Sequence, residues 1–590
     1  MSNREIAKLF KDVAAAYVIK NEEKFRFQIL AYQKASDAVS NLTSELQDFY
    51  KENKLELVPG IGKTITSHLI ELFKSGKVKH FEWVLKGIPA SVFVLIDIPS
   101  FGPKKAYKLI KEFKLNNPDT VINDLVEIAR AGKIAKLEGF GEKSQEDIIR
   151  ALSEYKQGEG KTTRMVLPYA YEVSEKIVSY LKGLKYVKEA IVLGSIRRMT
   201  ATVGDIDIAV ATNHPKETIE HFTSYPHKER LVEKGIATAS ILISGDVQVD
   251  LMTQPPESFG SLLQHFTGSK NHNVHLREYA LRKGLSLSEY GIRSLTKKNQ
   301  PLSKYDNEEK FYNALGLDWI PPEIRENTGE IELAAQHKLP QLVELKNMKG
   351  DLHTHSNFSI EPSHDLGHNS IEDMAETAVK LGYEYIGLSE HNPSVSKHSQ
   401  NDIHTLIKRR DDYIEQIKSE MKNVRILKLL EIDILVNGGL AINDKCLDLL
   451  DGAIVSIHSS FNMNKEDMTK RVLEGLSHPK AKILAHPTGR MIGTRQGYDL
   501  DFQKIFEFCR KHNKALEINA WPNRLDLTDT IARQAIENKV KLAINTDSHA
   551  SSQMILMKYG VAMARRGWAT KNDIINTLSY SEFAEWLKAG

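Results

Sequence analysis

The sequence predicts a multidomain chain of α plus α/β class, with helical repeats first, a mixed β-sheet with helices second and a strand–helix domain last. Its 590 residues correspond to about four domains. A glycine-containing helical pattern recurs three times before residue 155, and from residue 350 short apolar strands alternate with amphipathic helices. This alternation favours a mainly parallel sheet, here long enough to close as a barrel.

Composition excludes several classes of protein. With 41% hydrophobic and 27% charged residues, the chain is not a disordered one. Two cysteines, Cys446 and Cys509, cannot form a disulfide framework and predict a reducing compartment. No apolar run approaches the roughly 18 residues of a membrane-spanning helix, and the first residues do not resemble a signal peptide. We therefore expect a cytoplasmic protein without a membrane partner, whose net charge of +3 limits any nucleic-acid contact to local patches or backbone donors.

The helical repeats lie at 57–73, 95–113 and 134–152. In each, a short apolar helix end is followed by a turn of the form small-apolar-Gly, and then by a lysine and an amphipathic helix. The hairpin positions are Gly60/Gly62, Ser100/Gly102 and Gly139/Gly141. Glycines in the turn permit φ > 0 and expose backbone N–H groups at the start of the helix, where an anion binds without side-chain charge. A plain αα-turn explains a single copy equally well, but three copies in register resemble the helix-hairpin-helix motif, which grips DNA phosphates. The candidate DNA-binding residues are Gly60, Gly62, Lys63, Gly102, Lys104, Gly139, Gly141 and Lys143.

Three aspartates mark the middle section. Asp205 and Asp207 are two apart in the predicted strand GDIDIAV, so both carboxylates lie on one face. We expect Asp250, in the alternating segment VQVDLM, to join them from a neighbouring strand. Three carboxylates can hold two Mg²⁺ ions, the arrangement used in phosphoryl transfer. The preceding turn GSIRR (194–198) suits a triphosphate, with Ser195 as donor and Arg198 as counter-charge.

This constellation resembles the nucleotidyltransferase palm of family X DNA polymerases, and the resemblance continues through residues 265–293. It implies that Asp205 and Asp207 bind two Mg²⁺ or Mn²⁺ ions, that Asp250 binds the catalytic ion beside the primer 3′-hydroxyl, and that dNTPs are substrates. It also implies a sugar-side wall, contacts to the minor-groove edge of the nascent pair, and contacts to phosphate. The residues implied to bind nucleotide are Arg164, Gly194, Ser195, Arg198, Gly204, His265, Phe266, Gly268, Asn273 and Arg277.

The chain departs from the family pattern at three positions. His265 replaces the usual tyrosine before Phe266, which predicts altered sugar discrimination. Gln248 replaces an arginine that often lies two residues before the third aspartate, and the lost cation predicts slower chemistry. His68 occupies the position of the Schiff-base lysine of eukaryotic relatives. An imidazole cannot form that imine, so we expect no strong 5′-deoxyribose-phosphate lyase activity there.

A second set of candidate ligands lies at the ends of six apolar runs in the last section. Ligands at the carboxyl ends of parallel strands converge on the functional face of a barrel. Imidazole and carboxylate ligands suit Zn²⁺, Mn²⁺ or Fe²⁺. A single strand-end histidine is usually an ordinary buried residue, but eight such residues favour a multinuclear centre. They are His353, His355, His391, Glu431, His458, His486, Asp547 and His549.

This second pattern resembles the PHP domain, a distorted seven-stranded barrel that holds up to three metals and hydrolyses phosphoesters. The resemblance implies one metal on His353, His355, Glu431 and Asp547, a second on Glu431, His458 and His486, and a third on His391, His549 and an aspartate five residues after His355. That position is Ile360, so Asp365 is the expected replacement, with Glu361 or His364 as alternatives, and an empty third site predicts weak nuclease activity. The remaining histidines are otherwise interpreted as surface residues: His337, His364, His368, His398, His404, His478 and His512.

Together the two resemblances indicate a family X DNA polymerase of the bacterial and archaeal type. They imply short-gap filling in DNA repair by two-metal nucleotidyl transfer, with a metal-dependent 3′–5′ exonuclease and, in some members, an abasic-site endonuclease. The implied partners are gapped or primer–template DNA and dNTPs, for a nucleoid-associated monomer. Two other functions stay open: nucleotidyl transfer to another acceptor, and DNA-end binding with a weakened PHP nuclease.

The expected domains follow from these motifs and from two polar seams, one at 154–164 and one at roughly 296–349. They are helical DNA-binding domains at 1–86 and 87–158, a palm at 159–256, a nascent-base-pair subdomain at 257–318, a linker at 319–347 and the PHP domain at 348–590, with two or three Zn²⁺, Mn²⁺ or Fe ions.

Overall fold

The computed structural model describes residues 1, 3–40, 46–51, 53–58, 60–98, 101–156, 164–245, 247–296 and 301–589. Ser100 and most of the predicted seam at 154–164 lie outside the described residues, as does the side chain of Lys143. Two compact units are present. One comprises Met1–Met165, His221–Lys234 and Ala239–Asp250, and the other comprises Val166–Glu220, Gly235–Thr238 and Leu251–Gly590. No helix in the described ranges is long and apolar enough to cross a bilayer.

The N-terminal part of the chain is helical and has two hydrophobic cores. Phe10, Tyr17 and Leu69 lie in the first core, and Leu95 and Leu125 lie in the second. The helices are α1 (Asn3–Asn21), α2 (Arg26–Ser40), α3 (Leu46–Lys51), α4 (Lys63–Ser75), α5 (Lys79–Leu85), α6 (Ala90–Leu95), α7 (Pro103–Phe113), α8 (Val121–Arg130) and α9 (Glu142–Lys156). Helix α1 contributes to both cores, since Phe10 and Tyr17 lie in the first and Ala15 lies in the second.

The three predicted turns share one backbone hydrogen-bond pattern. Each turn has two backbone N–H donors three residues apart, and each of them donates to the carbonyl three residues before it. The donors are Val58 and Ile61, Ile98 and Phe101, and Leu137 and Phe140. Gly62, Gly102 and Gly141 then accept the first hydrogen bond of the following helix. The segment before the third turn is not the predicted helix end, because Gly132 (φ +69°) ends α8 and turns follow to residue 141.

A mixed sheet with flanking helices follows. Its five strands run in the order β2-β4-β7-β6-β5. The strands of this part are β1 (Met165–Val166), β2 (Val187–Val192), β3 (Thr202–Val203), β4 (Ile206–Thr212), β5 (Lys228–Lys234), β6 (Thr238–Ile243), β7 (Val247–Gln254), β8 (Leu285–Ser288) and β9 (Gly291–Ser294). The helices are α10 (Leu167–Lys182), α11 (Gly194–Arg197), α12 (Pro215–Thr223), α13 (Phe259–Thr267), α14 (Lys270–Arg282), α15 (Glu308–Ala314) and α16 (Glu330–Ala335).

The segment predicted as a linker packs against its neighbours on both sides. Ile320 and Ile331 lie in one core with Phe311 and Tyr312, and Trp568 from the end of the chain enters the same core. The apolar side chains of this segment are therefore buried, although they alternate with polar ones. The mixed-sheet part and the C-terminal part of the second unit therefore share one core.

The C-terminal domain contains two parallel sheets, ordered β10-β11-β12 and β13-β14-β15-β16-β17. The strands are β10 (Gly350–Thr354), β11 (Tyr385–Leu388), β12 (Arg425–Lys428), β13 (Glu431–Asp433), β14 (Ala453–Ser456), β15 (Ala481–Leu484), β16 (Ala515–Asn519) and β17 (Lys541–Asn545). The helices are α17 (Ile371–Lys380), α18 (Gln400–Glu420), α19 (Asp444–Leu447), α20 (Lys465–Ser477), α21 (Phe502–Lys511), α22 (Asp529–Glu537), α23 (Met557–Arg566) and α24 (Tyr580–Lys588).

The predicted fold class is confirmed: a helical part, a mixed-sheet part and a C-terminal α/β part with parallel sheets. Single parallel bridges, Thr354–Ser548 and His391–Glu431, link residues at the ends of the two C-terminal sheets. Closure of these sheets into a seven-stranded barrel stays a prediction.

Two candidate metal-dependent sites

The three predicted carboxylates of the mixed sheet lie together. Asp205 directly precedes β4, Asp207 lies on β4, and Asp250 lies on the neighbouring strand β7. One oxygen from each can be chosen so that all three lie within 4.8 Å of one another. Three oxygen ligands at this spacing suit a hard divalent cation such as Mg²⁺.

The glycine turn before α11 lies directly against these carboxylates. Gly194 has φ +54°, and a Cβ atom there would lie 2.6 Å from Oδ2 of Asp207. The backbone N–H of Leu193 donates to the carbonyl of Asp207 at 2.8 Å. Only glycine permits both the conformation and the close approach. The turn that carries Ser195 is therefore held beside the carboxylates.

Gln248 contacts the third carboxylate. Its side-chain Nε2 lies 3.0 Å from both oxygens of Asp250. Since both residues lie on β7 two positions apart, they share one face of the strand. A neutral amide thus contacts Asp250 where the family often places a cation.

Arg198 connects the glycine turn to two other segments. Its Nη1 donates to the carbonyl of Thr267 at 2.6 Å, and its Nε donates to Oε1 of Glu326 at 3.2 Å. Its neighbour Arg197 contacts Thr267 and the buried Glu308. Both arginines therefore hold the glycine turn against the end of α13.

Glu308 is the centre of a buried ion network. It accepts from Arg197 at 2.7 Å and from Arg325 at 2.6 Å. Burial alone would raise its pKa, but the two guanidinium groups lower the pKa of Glu308 to about 2. This carboxyl is charged at neutral pH and fixes the position of α15 relative to the glycine turn.

The predicted sugar and base contacts lie between α13 and α14. Gly268 has φ +34°, and a Cβ atom there would lie 2.8 Å from Nδ2 of Asn273. That amide donates to the carbonyl of His265 at 2.6 Å and accepts from Gln264 at 2.8 Å. The rings of His265 and Phe266 pack edge to face with centroids 4.9 Å apart. Burial lowers the pKa of His265, which favours its neutral form.

The remaining predicted nucleotide-binding residues are less enclosed. Gly204 lies in the bend before Asp205, and the side chains of Arg164 and Arg277 are exposed.

In the N-terminal repeats, the candidate anion sites are open. The N-caps Gly62 and Gly102 are extended, and a Cβ atom at these glycines or at Gly141 would meet no atom within 4 Å. The turn glycines Gly60 and Gly139 have φ of +84° and +80°. Of the predicted lysines, Lys63 is exposed and Lys104 pairs with Glu22 at 2.6 Å. These helix starts therefore leave room for a phosphate.

His68 lies in an aromatic stack that the sequence reasoning missed. Its ring stacks on His80 with centroids 5.0 Å apart, and its Nδ1 lies 2.8 Å from the hydroxyl of Tyr32. Burial lowers the pKa of His68, with a smaller contribution from His80.

Glu431 is the centre of the predicted second site. Its carboxylate lies 2.9 Å from His391 and from His486, and 3.3 Å from His353 and from His458. Ligand atoms of three overlapping triads lie within 4.8 Å of one another: His353–His355–Glu431, His391–Glu431–His458 and His355–His391–His549. Asp547 lies 3.3 Å from His355. The structure thus brings all eight strand-end residues into one buried cluster.

The donor set of this cluster fits metal ions. Within the described part of the chain, Nδ1 and Nε2 of His355 and Nδ1 of His486 are buried and make no hydrogen bond. Buried polar atoms are nearly always partnered, so these nitrogens are available to bind a metal ion. Nitrogen and carboxylate donors together suit Zn²⁺, Mn²⁺ or Fe²⁺.

The carboxylates of the cluster are charged. Burial alone would raise their pKa values, but His391, His458 and His353 hold the pKa of Glu431 well below its usual range. The pKa of Asp547 is likewise low, mainly because of His353. In turn Glu431 and Asp433 raise the pKa of His458 to about 9 against the effect of burial. Negative charge is therefore in place before any cation binds.

Sequence reasoning missed three charged residues of this site. Glu517 lies 2.7 Å from Nδ1 of His353, and Asp433 lies 2.8 Å from Nδ1 of His458. Carboxylates in these positions orient the imidazoles toward a metal. Arg524 lines the same cavity of about 230 Å³ and lies 3.5 Å from Asp547. The available signal was a charged residue inside an apolar strand, as in ALEIN for Glu517.

His364 is exposed, as expected of a surface residue, and it also lines the site in which it was named as an alternative ligand. Its Nε2 lies 3.1 Å from Asp433, and its ring lies 4.4 Å from that of His458. It lines the cavity together with Asp365, His391 and His549. Ile360 is fully buried and supplies no ligand, so the loop after β10 returns to the cavity only at residues 364 and 365.

Sequence profiles of three families match the chain. They are a helix-hairpin-helix domain at residues 1–78, the DNA polymerase beta thumb at 262–326 and the PHP domain at 351–520. The first match covers the first helical repeat, the second covers the α13–α14 region, and the third covers six of the eight residues of the histidine cluster, all but Asp547 and His549.

Curated relatives are similar over different lengths. The DNA polymerase/3′-5′ exonuclease PolX of Bacillus subtilis (strain 168) is 35% identical over 100% of both chains. A probable phosphatase of Thermoanaerobacter sp. (strain X514) is 25% identical over 40% of this chain and 94% of its own. DNA polymerase lambda of Rattus norvegicus is 20% identical over 55% of this chain and 56% of its own.

Proposed function

The chain belongs to the family X DNA polymerases that carry a C-terminal PHP domain, and we propose that it fills short gaps in DNA and trims 3′ ends with its second site. The full-length similarity assigns it DNA polymerase and 3′–5′ exonuclease activities. Both activities depend on divalent metals. The observation that carries the proposal is the convergence of Asp205, Asp207 and Asp250 beside the Gly194 turn.

In the first site, Asp205 and Asp207 would hold two Mg²⁺ or Mn²⁺ ions, and Asp250 would share one of them. Such ions lower the pKa of the primer 3′-hydroxyl and neutralise charge on the triphosphate. Ser195 and the backbone of its turn donate to the phosphates, and Arg198 supplies counter-charge from the same turn. Gln248 holds the carboxylate of Asp250 without adding charge, so the developing 3′-oxyanion loses one stabilising cation.

Selection of the nucleotide would fall to the segment between α13 and α14. Phe266 and the backbone of Gly268 form a wall for the sugar, since Gly268 has no side chain to fill the space before Asn273. Asn273 and Arg277 would contact the minor-groove edge of the new pair. His265 is smaller than tyrosine and neutral, which relaxes the wall on one side.

In the second site, two or three Zn²⁺, Mn²⁺ or Fe ions would bind the buried cluster. The expected ligands are His353, His355, His391, Glu431, His458, His486, Asp547 and His549, with Asp365 as the replacement for the missing aspartate. Bound ions there supply a hydroxide nucleophile and polarise the phosphodiester. Arg524 faces the same cavity and would neutralise a non-bridging phosphate oxygen.

DNA would be gripped by the open helix starts at Gly62, Gly102 and Gly141, through backbone N–H groups rather than through net charge. Because one chain carries both sites and the phosphate grips, we propose a monomer that acts on nucleoid DNA in the cytoplasm. Gapped DNA suits this arrangement, since both sides of a gap present phosphates.

The test is gap filling on DNA with a 5′-phosphorylated one-nucleotide gap, run with Mg²⁺ and then with Mn²⁺. Asp205→Ala should abolish extension and leave 3′ shortening intact, while His353→Ala should do the reverse. Each variant also needs the thermal unfolding midpoint of the parent. Loss of both activities in either folded variant contradicts two independent sites, and extension of RNA ends in preference to gapped DNA contradicts the substrate.

A further inference from the structure

Arg566, the last residue of α23, contacts the polymerase part of the chain. Its Nη1 donates to the backbone carbonyl of Arg198 at 2.8 Å and to Oε1 of Glu326 at 3.1 Å. Its Nε donates to Asp529 at the start of α22 at 2.8 Å. The side chain of Arg566 is only 8% exposed, whereas that of Glu326 is 31% exposed. A C-terminal residue therefore touches the arginine expected to bind triphosphate.

Glu326 is shared by two arginines through a single oxygen. Oε1 of Glu326 accepts from Nε of Arg198 at 3.2 Å and from Nη1 of Arg566 at 3.1 Å. The side chain of Arg198 is 15% exposed, so its charge is strongly felt by Glu326. A triphosphate that engages the Arg198 guanidinium competes with Glu326 for it. When Arg198 turns away, Arg566 remains beside Glu326 as its counter-charge.

We propose that Arg566 is a positioning residue for nucleotide binding: it neutralises Glu326, so that Arg198 can exchange this carboxylate for the triphosphate, and its contact with the Arg198 carbonyl places it there. The proposal rests on the proposed function, since it needs Arg198 to bind phosphate. It makes the C-terminal domain a part of the polymerase nucleotide site, independently of its own metal cluster.

The neighbouring residue provides a matched control. Arg565 lies on the same helix and pairs with Glu323 at 2.7 Å, and it donates to the carbonyl of Val343 at 3.0 Å. It thus joins the same two parts of the chain with the same chemistry. Within the described part of the chain Arg565 forms no hydrogen bond or ion pair with Arg198 or Glu326, so loss of Arg565 tests the general effect of a broken interdomain ion pair.

The experiment measures kcat and KM for the dNTP on a one-nucleotide gap with the full chain. Arg566→Gln should raise KM by about tenfold, as expected for neighbouring charges that couple, and change kcat by less than about threefold. Arg565→Gln should change KM by less than about twofold. In a Glu326→Gln background there is no carboxylate to neutralise, so adding Arg566→Gln should raise KM by less than about threefold.

The double variant distinguishes neutralisation from a merely structural role. If Arg566→Gln raises KM equally with and without Glu326→Gln, or if it matches Arg565→Gln, the proposal is overturned. The wild-type protein is assayed first. If it adds no nucleotide, the proposed function is refuted before any variant is compared. Shortening of 3′ ends with Mn²⁺, measured on each preparation, reports an intact C-terminal domain.

Discussion

Replacing Glu517 by glutamine should weaken metal binding at the histidine cluster without touching the palm. Oε1 of Glu517 lies 2.7 Å from Nδ1 of His353 and accepts from Asn545 at 2.9 Å. Oε2 accepts from the backbone of His486 at 2.8 Å and from Asn519 at 3.1 Å. Every neighbour within hydrogen-bond distance is thus a donor or an imidazole nitrogen, and the carboxylate satisfies all four.

Glutamine cannot satisfy this site in either orientation. An amide nitrogen at the Oε1 position drives His353 to the tautomer with its proton on Nε2, the nitrogen that faces Glu431 and would ligate a metal. An amide nitrogen at the Oε2 position leaves buried donors unpaired, at a cost of about 1–3 kcal/mol. Loss of such a carboxylate partner typically weakens metal affinity by about 10–100-fold. That range corresponds to about 1.4–2.7 kcal/mol.

The assay is isothermal titration of the metal-free protein with Mn²⁺, together with 3′–5′ shortening at a fixed Mn²⁺ concentration. Glu507→Gln, an exposed change on α21, is the matched control. Gap filling with Mg²⁺ should be equal in both variants. Glu517→Gln that binds Mn²⁺ as tightly as the control would show that Glu517 does not orient His353.

Two further changes test the palm and its ion network. The pKa of Glu308 is about 2 in the folded state and about 4.3 in the unfolded state. Its charge therefore adds on the order of 3 kcal/mol to the free energy of unfolding above about pH 4.3, and this contribution is lost as the pH falls toward 2. Glu308→Gln should therefore reduce the pH dependence of the thermal unfolding midpoint between about pH 4.5 and 3. The control Glu309→Gln, an exposed change, should keep the pH dependence of the wild type. Equal pH dependence in the two variants would contradict the ion network. Gly194→Ala places a Cβ atom 2.6 Å from Oδ2 of Asp207, so the turn or the carboxylate must move. The kcat for nucleotide addition should fall by roughly 100-fold, because a displacement of about 1 Å at a reacting centre has that effect, while 3′ shortening continues. An unchanged kcat would show that the turn yields without moving Asp207.

The sequence predicted those features of the sites that depend on local periodicity. Asp205 and Asp207 share a face because strand side chains alternate, and the strand-end histidines converge because parallel strands end at one edge. The glycine turns were recognised because positive φ selects glycine, as at Gly60 and Gly194. Each of these signals is contained within a few residues of the chain.

Features that depend on distant segments were not predicted. Glu517 and His353 are 164 residues apart, and Arg566 and Arg198 are 368 residues apart, so no local pattern relates them. The contacts of His364 with Asp433 and His458 were not predicted, because its loop has no regular period, although the loop returns to the cavity beside His391. Packing of the segment 319–347 was missed because its prolines and charges conceal the buried Ile320 and Ile331.

The two sites differ in how they would acquire metal. Asp205 is exposed and Asp207 and Asp250 are partly exposed, so water competes with these carboxylates for a cation. Glu431 is buried beside four imidazoles. A cation that binds there exchanges its hydration shell for carboxylate and imidazole ligands, so the free-energy cost of leaving water is small. Ions of the palm should therefore arrive with the triphosphate and leave with pyrophosphate, whereas ions of the histidine cluster should stay with the protein. On this expectation only the exposed site would re-equilibrate with metal ions in solution at each turnover.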